Sequence, residues 1–145
     1  DIEGADAAGV LLDTVLKNAP PELLRQRIGD LLAEMRDEKV NRRLQKLLGK
    51  GRASQRAFTI RATKYVDGPK LLKKMRKGLG AKEPEIVIAT CLALAARQDK
   101  EALPELEKLL GNAKGQDVRL ALMESISILK DGDGDWMERL SELSA

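Results

Sequence analysis

A repeat of 31 residues runs through most of the chain and limits the folds that are open to it. Three Leu-Gly pairs, at Leu48-Gly49, Leu79-Gly80 and Leu110-Gly111, follow one another at this step. Acidic residues recur at nearly the same interval, at Asp37, Asp67, Asp99 and Asp131. A constant offset of this length is typical of stacked helical repeats, in which each unit buries its apolar surface against its neighbours.

Each repeat predicts two helices with a short acidic turn between them, because apolar residues recur at helical spacing and glycine or proline ends each run. The predicted helix pairs are 21–36 with 38–48, 53–66 with 69–79, 84–97 with 101–110, and 117–130 with 135–143. They define repeats over residues 21–49, 53–80, 84–111 and 117–143, and a further helix at 6–18 forms an N-terminal cap. In the second helix of the chain, the predicted core stripe is Leu24, Ile28, Leu31, Leu32 and Met35.

Composition supports a single all-α domain over residues 1–145. Only 2% of the residues are aromatic, so the core is expected to consist of aliphatic side chains in close-packed helices. The single cysteine excludes an internal disulfide framework, and the longest apolar run, 86–96, is too short to span a bilayer. We therefore expect a cytoplasmic location. Because the sequence does not begin with methionine, we also expect the chain to be a piece of a longer protein.

The best-preserved repeats resemble the HEAT-like helical repeat family, in the short bacterial form also seen in phycobilisome-lyase-type repeats. The residues that carry the resemblance are Asp117-Val118-Arg119, the turn at Asp99, Ala102 to Leu106, and Leu109-Leu110. Where the family has a Val-Arg pair, this chain has Ile86-Val87 in one copy and Gln55-Arg56 in another. The resemblance implies a right-handed α-superhelix, or α-α solenoid, of about four helical hairpins. It also implies a scaffold that offers its concave, second-helix surface to a partner.

Charge is distributed very unevenly along the chain. Residues 36–82 hold 16 Lys and Arg against three acidic residues, whereas the segments on either side have more acids than bases. The repeat aligns Lys39 and Lys70 with Glu101, so the second-helix face is expected to be basic over the first two repeats and acidic beyond them. The predicted partner-binding residues are Lys39, Arg42, Arg43, Lys46, Lys70, Lys73, Lys74, Arg76 and Lys77.

Three functions fit this charge pattern. The simplest is a protein-interaction or scaffold module that binds an acidic protein segment through its basic second-helix face. The alternative is non-specific binding of a nucleic-acid backbone, without base readout. The third, which rests on the phycobilisome-lyase resemblance, is a lyase-like or helper enzyme role. The same lysines and arginines are also compatible with ordinary solvated helix faces. The sequence leaves the oligomeric state open.

Catalysis finds little support in the residues, so we do not expect an enzyme, a metal ion or a cofactor. The chain has no histidine, and Cys91 lies within an apolar helix where a buried inert thiol is expected. The acids of Asp131–Asp135 with Glu142 match several positions of a calcium-binding loop. Trp136, however, stands where that loop needs glycine, and the segment also reads as an intra-repeat turn in which Asp135 caps a helix.

Overall fold

The computed structural model describes residues 7–131, which form eight α-helices and contain no strand. The helices are α1 (Ala7–Asn18), α2 (Glu22–Met35), α3 (Glu38–Leu47), α4 (Ala53–Ala62), α5 (Pro69–Arg76), α6 (Pro84–Ala96), α7 (Leu103–Asn112) and α8 (Gln116–Asp131). Short 3₁₀ turns, Lys77–Gly80 and Lys100–Ala102, follow α5 and precede α7. The predicted all-α class is confirmed. The predicted helix at 135–143 and the calcium-type motif beyond Asp131 lie outside the described residues.

Local chemistry explains most helix boundaries. Pro69 and Pro84 occupy the first turns of α5 and α6, where proline's missing N–H costs no hydrogen bond. The Asp37 carboxylate caps α3 by accepting a hydrogen bond of 2.9 Å from the Val40 N–H. Gly49 follows α3 with φ of +81°, a backbone conformation that favours glycine. The sequence patterns therefore predicted these ends to within a few residues.

Helix α4 is shorter than predicted, since it ends at Ala62 and not near Val66. The Thr63 hydroxyl donates a hydrogen bond of 2.8 Å to the Thr59 carbonyl, which closes the last turn. The carbonyls of Thr63 and Val66 then accept hydrogen bonds from the Arg97 guanidinium, 31 residues beyond Val66. A long-range contact thus stabilises the chain beyond the early end of α4.

The helices stack in two rows. The first helices of successive units, α2, α4, α6 and α8, contact one another in that order. The second helices, α3, α5 and α7, each pack against the first helix of the following unit, α5 doing so together with its 3₁₀ turn. The capping helix α1 packs on α2 and α3. This arrangement is that of an α-α solenoid, as the 31-residue repeat predicted.

Helix α6 lies in the middle of the stack and is buried on most of its surface. Ile86, Cys91 and Leu94 have no exposed side-chain surface. The backbone of the preceding 3₁₀ turn approaches α6 so closely that a Cβ added at Gly78 would lie 2.0 Å from the Thr90 hydroxyl oxygen. Position 78 therefore has no room for a residue larger than glycine, although its φ is not in the positive region that favours glycine.

Apolar side chains form two clusters that meet at α4. The first cluster joins α1, α2 and α3 and includes Phe58 and Ala62 of α4. The second extends from the end of α3 to α8 and includes Ile60 of the same helix. Helix α4 thus contributes opposite faces to the two parts of the core.

The predicted core stripe of α2 is wrong at three positions. Ile28 and Leu32 are buried, but Leu24, Leu31 and Met35 are 49%, 51% and 39% exposed. The reason is that α2 stands at the end of the row of first helices, where its main contacts among the described helices are with α4 and α1. One side of its apolar stripe consequently has no helix packed against it within the described chain.

Candidate partner-binding face

The basic residues predicted from the sequence lie on the second helices α3 and α5 and on the 3₁₀ turn that joins α5 to α6. Four are on α3 and four on α5, and Lys77 begins the 3₁₀ turn. Val40 and Leu44 of α3, and Leu71 and Met75 of α5, face the core. The intervening basic side chains consequently face outward, and all are exposed except Arg76, which is partly buried. We call the solvent-facing surface of α3, α5 and Lys77 the basic face.

Two of these basic residues have acidic partners. Arg43 donates a hydrogen bond of 2.8 Å to Asp13 of α1, and this hydrogen bond is the main reason why the pKa of Asp13 is lowered. Both carboxylate oxygens of Asp99 accept hydrogen bonds from Arg76, at 2.7 and 2.6 Å, and Glu101 accepts a third at 3.1 Å. These contacts raise the pKa of Arg76, the Asp99 bonds contributing most.

The Arg76–Asp99 pair has a structural role. The Asp99 carboxylate is buried, with 4% of its side chain exposed, while 34% of the Arg76 side chain remains exposed. This buried bidentate pair holds the turn of the third unit, which contains Asp99, against α5, the second helix of the second unit. The other seven basic residues form no ion pair within 4 Å in the part of the chain that the structure describes.

The sign of the surface charge changes beyond α5. Glu101, Glu105 and Glu107 occupy the positions that are basic or neutral in the preceding units, and all three are exposed. A groove of about 360 Å³ between α5 and α7 brings both signs together. It is lined by Lys73, Arg76, Lys77, Leu79, Glu101, Ala102 and Glu105. Positive charge without nearby acidic side chains therefore lies on α3 and α5, whereas the basic side chains that line the groove next to α7 have acidic neighbours within it.

A second cavity, of about 280 Å³, opens within the basic face and was not predicted. Its lining comprises Leu48, Gly49, Arg56, Ile60, Lys74, Lys77, Gly78 and Ile86, so three basic side chains and no acidic one surround it. Arg56 is the member that the sequence analysis did not select. The sequence did hold a signal for Arg56, because its position in the repeat is equivalent to that of Arg119.

The aromatic side chains of the described region are not positioned to stack on nucleic-acid bases. Phe58 is buried in the core. Tyr65 lies beyond α4, with the Arg36 guanidinium 5.2 Å and the Lys64 ammonium 5.6 Å from its ring centre. Both cations therefore already make a cation–π interaction with the Tyr65 ring. Recognition of a single strand by stacking therefore has no support from these two residues.

Groups suited to catalysis or metal binding are scarce. Cys91 is buried, and burial raises the pKa of its thiol to about 11, so it carries almost no thiolate near neutral pH. Within residues 7–131, no three His, Cys, Asp or Glu side chains cluster in a way that could hold a metal ion. No helix in this part of the chain is both long enough and apolar enough to cross a lipid bilayer.

Comparison with known proteins agrees with this architecture. A family model described as HEAT repeats matches residues 42–127, which is more than half of the chain. The chain belongs to the HEAT-repeat family. HEAT repeats generally mediate protein–protein interactions, and proteins built from them are typically non-enzymatic scaffolds. Neither the curated proteins nor the solved structures include a match to this chain.

Proposed function

We propose that this HEAT-repeat protein is an interaction module that binds an acidic segment of a protein partner through the basic face. The observation that carries the proposal is the run of basic side chains on α3 and α5, most of which are exposed and form no ion pair within residues 7–131, next to acidic side chains at the equivalent positions of α7. Opposite charges on adjacent second helices favour one orientation of a charged partner and disfavour the reverse.

Long-range attraction is the expected basis of binding. Exposed lysines gain little from a single ion pair, about 0.2–1 kcal/mol, so affinity must come from several contacts made together. Such binding weakens as salt is added, because counterions screen exposed charges over about 8–10 Å. A polyanionic peptide is therefore a suitable probe, and steep salt dependence is part of the proposal.

Fluorescence anisotropy with a labelled polyglutamate peptide tests the proposal. The test variant is Lys39→Glu/Lys70→Glu/Lys73→Glu, which reverses three charges of the basic face outside the 280 Å³ cavity. The matched control is Lys100→Glu/Lys108→Glu/Lys114→Glu, which makes the same charge change at exposed positions in the acidic half. We expect roughly tenfold or greater weakening for the first variant and at most a two- to threefold change for the second.

Two results would contradict the proposal. Equal weakening by the two triple variants would mean that net charge alone governs binding, and that the basic face has no special part. Tighter binding of labelled duplex DNA than of the peptide, with a salt slope reduced by the first variant, would instead support the nucleic-acid alternative. That alternative shares the same basic residues, but Phe58 and Tyr65 add nothing to it.

A further inference from the structure

The cavity within the basic face has a chemical character that differs from the rest of the surface. Its apolar side chains, Leu48, Ile60 and Ile86, are all buried. Its basic side chains all come from the second unit, Arg56 from α4, Lys74 from α5 and Lys77 from the 3₁₀ turn that follows. The cavity thus combines an apolar floor with a positively charged rim.

Arg56 is the unusual member of this set, because its buried Nε has no hydrogen-bond partner among residues 7–131. The equivalent arginine of the fourth unit, Arg119, donates hydrogen bonds of 3.0 and 3.1 Å to the carbonyls of Leu110 and Ala113. An equivalent residue of the first unit, Arg25, donates one of 3.1 Å to a carbonyl just before α2. In these two units the arginine Nη1 therefore binds carbonyls that lie before its own helix.

The loop after α3 has a different pattern of hydrogen bonds. Ala113 lies six residues before Arg119, so the corresponding carbonyl for Arg56 is that of Lys50. That carbonyl instead accepts a hydrogen bond of 3.2 Å from the Gln55 side chain. Gly49 and Gly51, with φ of +81° and +87°, give this loop its path. A buried N–H left without an acceptor is destabilising, and a bound acceptor would remove this cost.

We propose that the cavity binds a glutamate side chain of the acidic partner, with its carboxylate on Arg56, Lys74 and Lys77 and its methylene groups on the apolar floor. This inference rests on the proposed function and names the anchoring contact within it. The volume of about 280 Å³ suits the assignment, since it is large enough to admit a side chain. Hydrogen bonds to a charged acceptor are about twice as strong as neutral ones, so one site can contribute much of the affinity.

The test combines pocket variants with a direct view of the arginine. Arg56→Gln removes the charge, and the matched control is Arg52→Gln, an exposed arginine one turn earlier and outside the cavity. We expect about tenfold or greater weakening of polyglutamate binding for Arg56→Gln and less than twofold for Arg52→Gln, given about 1.5–3 kcal/mol for a charged hydrogen bond. If Arg56→Gln proves unstable, Lys74→Gln/Lys77→Gln replaces it, with Lys39→Gln/Lys70→Gln as the matched control at two exposed positions of the basic face outside the cavity. The pocket assignment requires the first pair to weaken binding more than the second.

Nuclear magnetic resonance supplies the second readout. The Nε–H signal of Arg56, assigned by its loss in Arg56→Gln, should shift when polyglutamate is added, while the signals of Arg25 and Arg119 stay in place. Polyaspartate, whose side chains are one methylene shorter, should bind more weakly and shift the Arg56 signal less.

The outcomes separate this inference from the proposed function. If the triple reversal on the basic face weakens binding, but Arg56→Gln behaves like Arg52→Gln and Lys74→Gln/Lys77→Gln like Lys39→Gln/Lys70→Gln, the pocket assignment fails and the function stands. If polyglutamate does not bind the wild-type protein at all, both fail. If inorganic phosphate shifts the Arg56 signal and polyglutamate does not, the pocket takes a phosphate group and the glutamate assignment is wrong.

Discussion

Replacing Gly78 by alanine tests how closely the second unit packs against α6. The added methyl group would lie 2.0 Å from the Thr90 hydroxyl oxygen and 3.1 Å from the Thr90 Cβ. Contacts under 3.0 Å are not tolerated, so the turn or the helix must move by about 1 Å or more. The Thr90 side chain cannot simply turn away, because it is buried and its hydroxyl donates a hydrogen bond of 2.7 Å to the Ile86 carbonyl.

Overpacking of this kind costs about 1–3 kcal/mol. At roughly 3–4 °C per kcal/mol for a domain of this size, Gly78→Ala should lower Tm by about 3–12 °C. The matched control is Gly80→Ala in the same turn, where a Cβ would meet nothing within 4 Å. We expect its Tm to be unchanged or raised by a few degrees, since alanine restricts the unfolded chain more than glycine does.

Thermal unfolding followed by circular dichroism measures these changes. A third variant, Gly78→Ala/Thr90→Ala, removes the clashing oxygen. Its loss of Tm should therefore be smaller than the sum of the losses of the two single variants. The reasoning is refuted if Gly78→Ala and Gly80→Ala have the same Tm, or if the double variant shows strictly additive losses.

Three further predictions concern stability and reactivity. Leu32→Ala should destabilise the protein by about 2–5 kcal/mol, and Leu31→Ala by about 1 kcal/mol or less, because Leu32 is 1% and Leu31 51% exposed. Urea unfolding measures both, and equal losses in the free energy of unfolding would contradict the assigned faces of α2. Although burial raises it, the pKa of Asp30 is lowered overall by hydrogen bonds from Lys64 and Arg61, so its stabilising contribution is present above the unfolded pKa of about 3.9 and is lost as pH falls through the folded value. Asp30→Asn should therefore cost about 1 kcal/mol or less at pH 7, by urea unfolding, and the difference from wild type should shrink below about pH 4; a difference independent of pH would contradict this. The Cys91 thiol, with its pKa raised to about 11, should react with a disulfide reagent at pH 8 at least about a hundredfold more slowly in the native protein than in urea, and comparable rates would show that α6 is accessible.

The sequence predicted the helices well because their ends depend on local chemistry. Proline at position 84, aspartate at position 37 and glycine at position 49 act through their own backbone or a neighbouring N–H. The exposure of α2 could not be predicted in this way. Leu31 and Leu32 are adjacent and equally apolar, and their different burial depends on which helices stand beside α2.

The candidate site was predictable in its position along the chain but not in its contacts. The excess of lysine and arginine over residues 36–82 is plain from composition. That Arg76 is held by Asp99, 23 residues away, depends on how one unit stacks on the next. Within residues 7–131 the Arg56 Nε has no partner, and the nearby glycine-rich loop is instead held by a hydrogen bond from Gln55 to the Lys50 carbonyl. Neither contact follows from spacing in the sequence.

The sharing of α4 between two apolar clusters has a consequence for how the molecule opens. Because Phe58 and Ala62 belong to one cluster and Ile60 to the other, we expect α1, α2 and α3 to open more readily than α6, α7 and α8. Such sub-global opening is expected of a solenoid, whose units depend chiefly on their nearest neighbours. The 280 Å³ cavity lies within the second cluster, to which its apolar residues Leu48, Ile60 and Ile86 all belong. A ligand bound there would therefore stabilise chiefly the part of the stack that holds the second cluster, and would protect it more than the N-terminal helices.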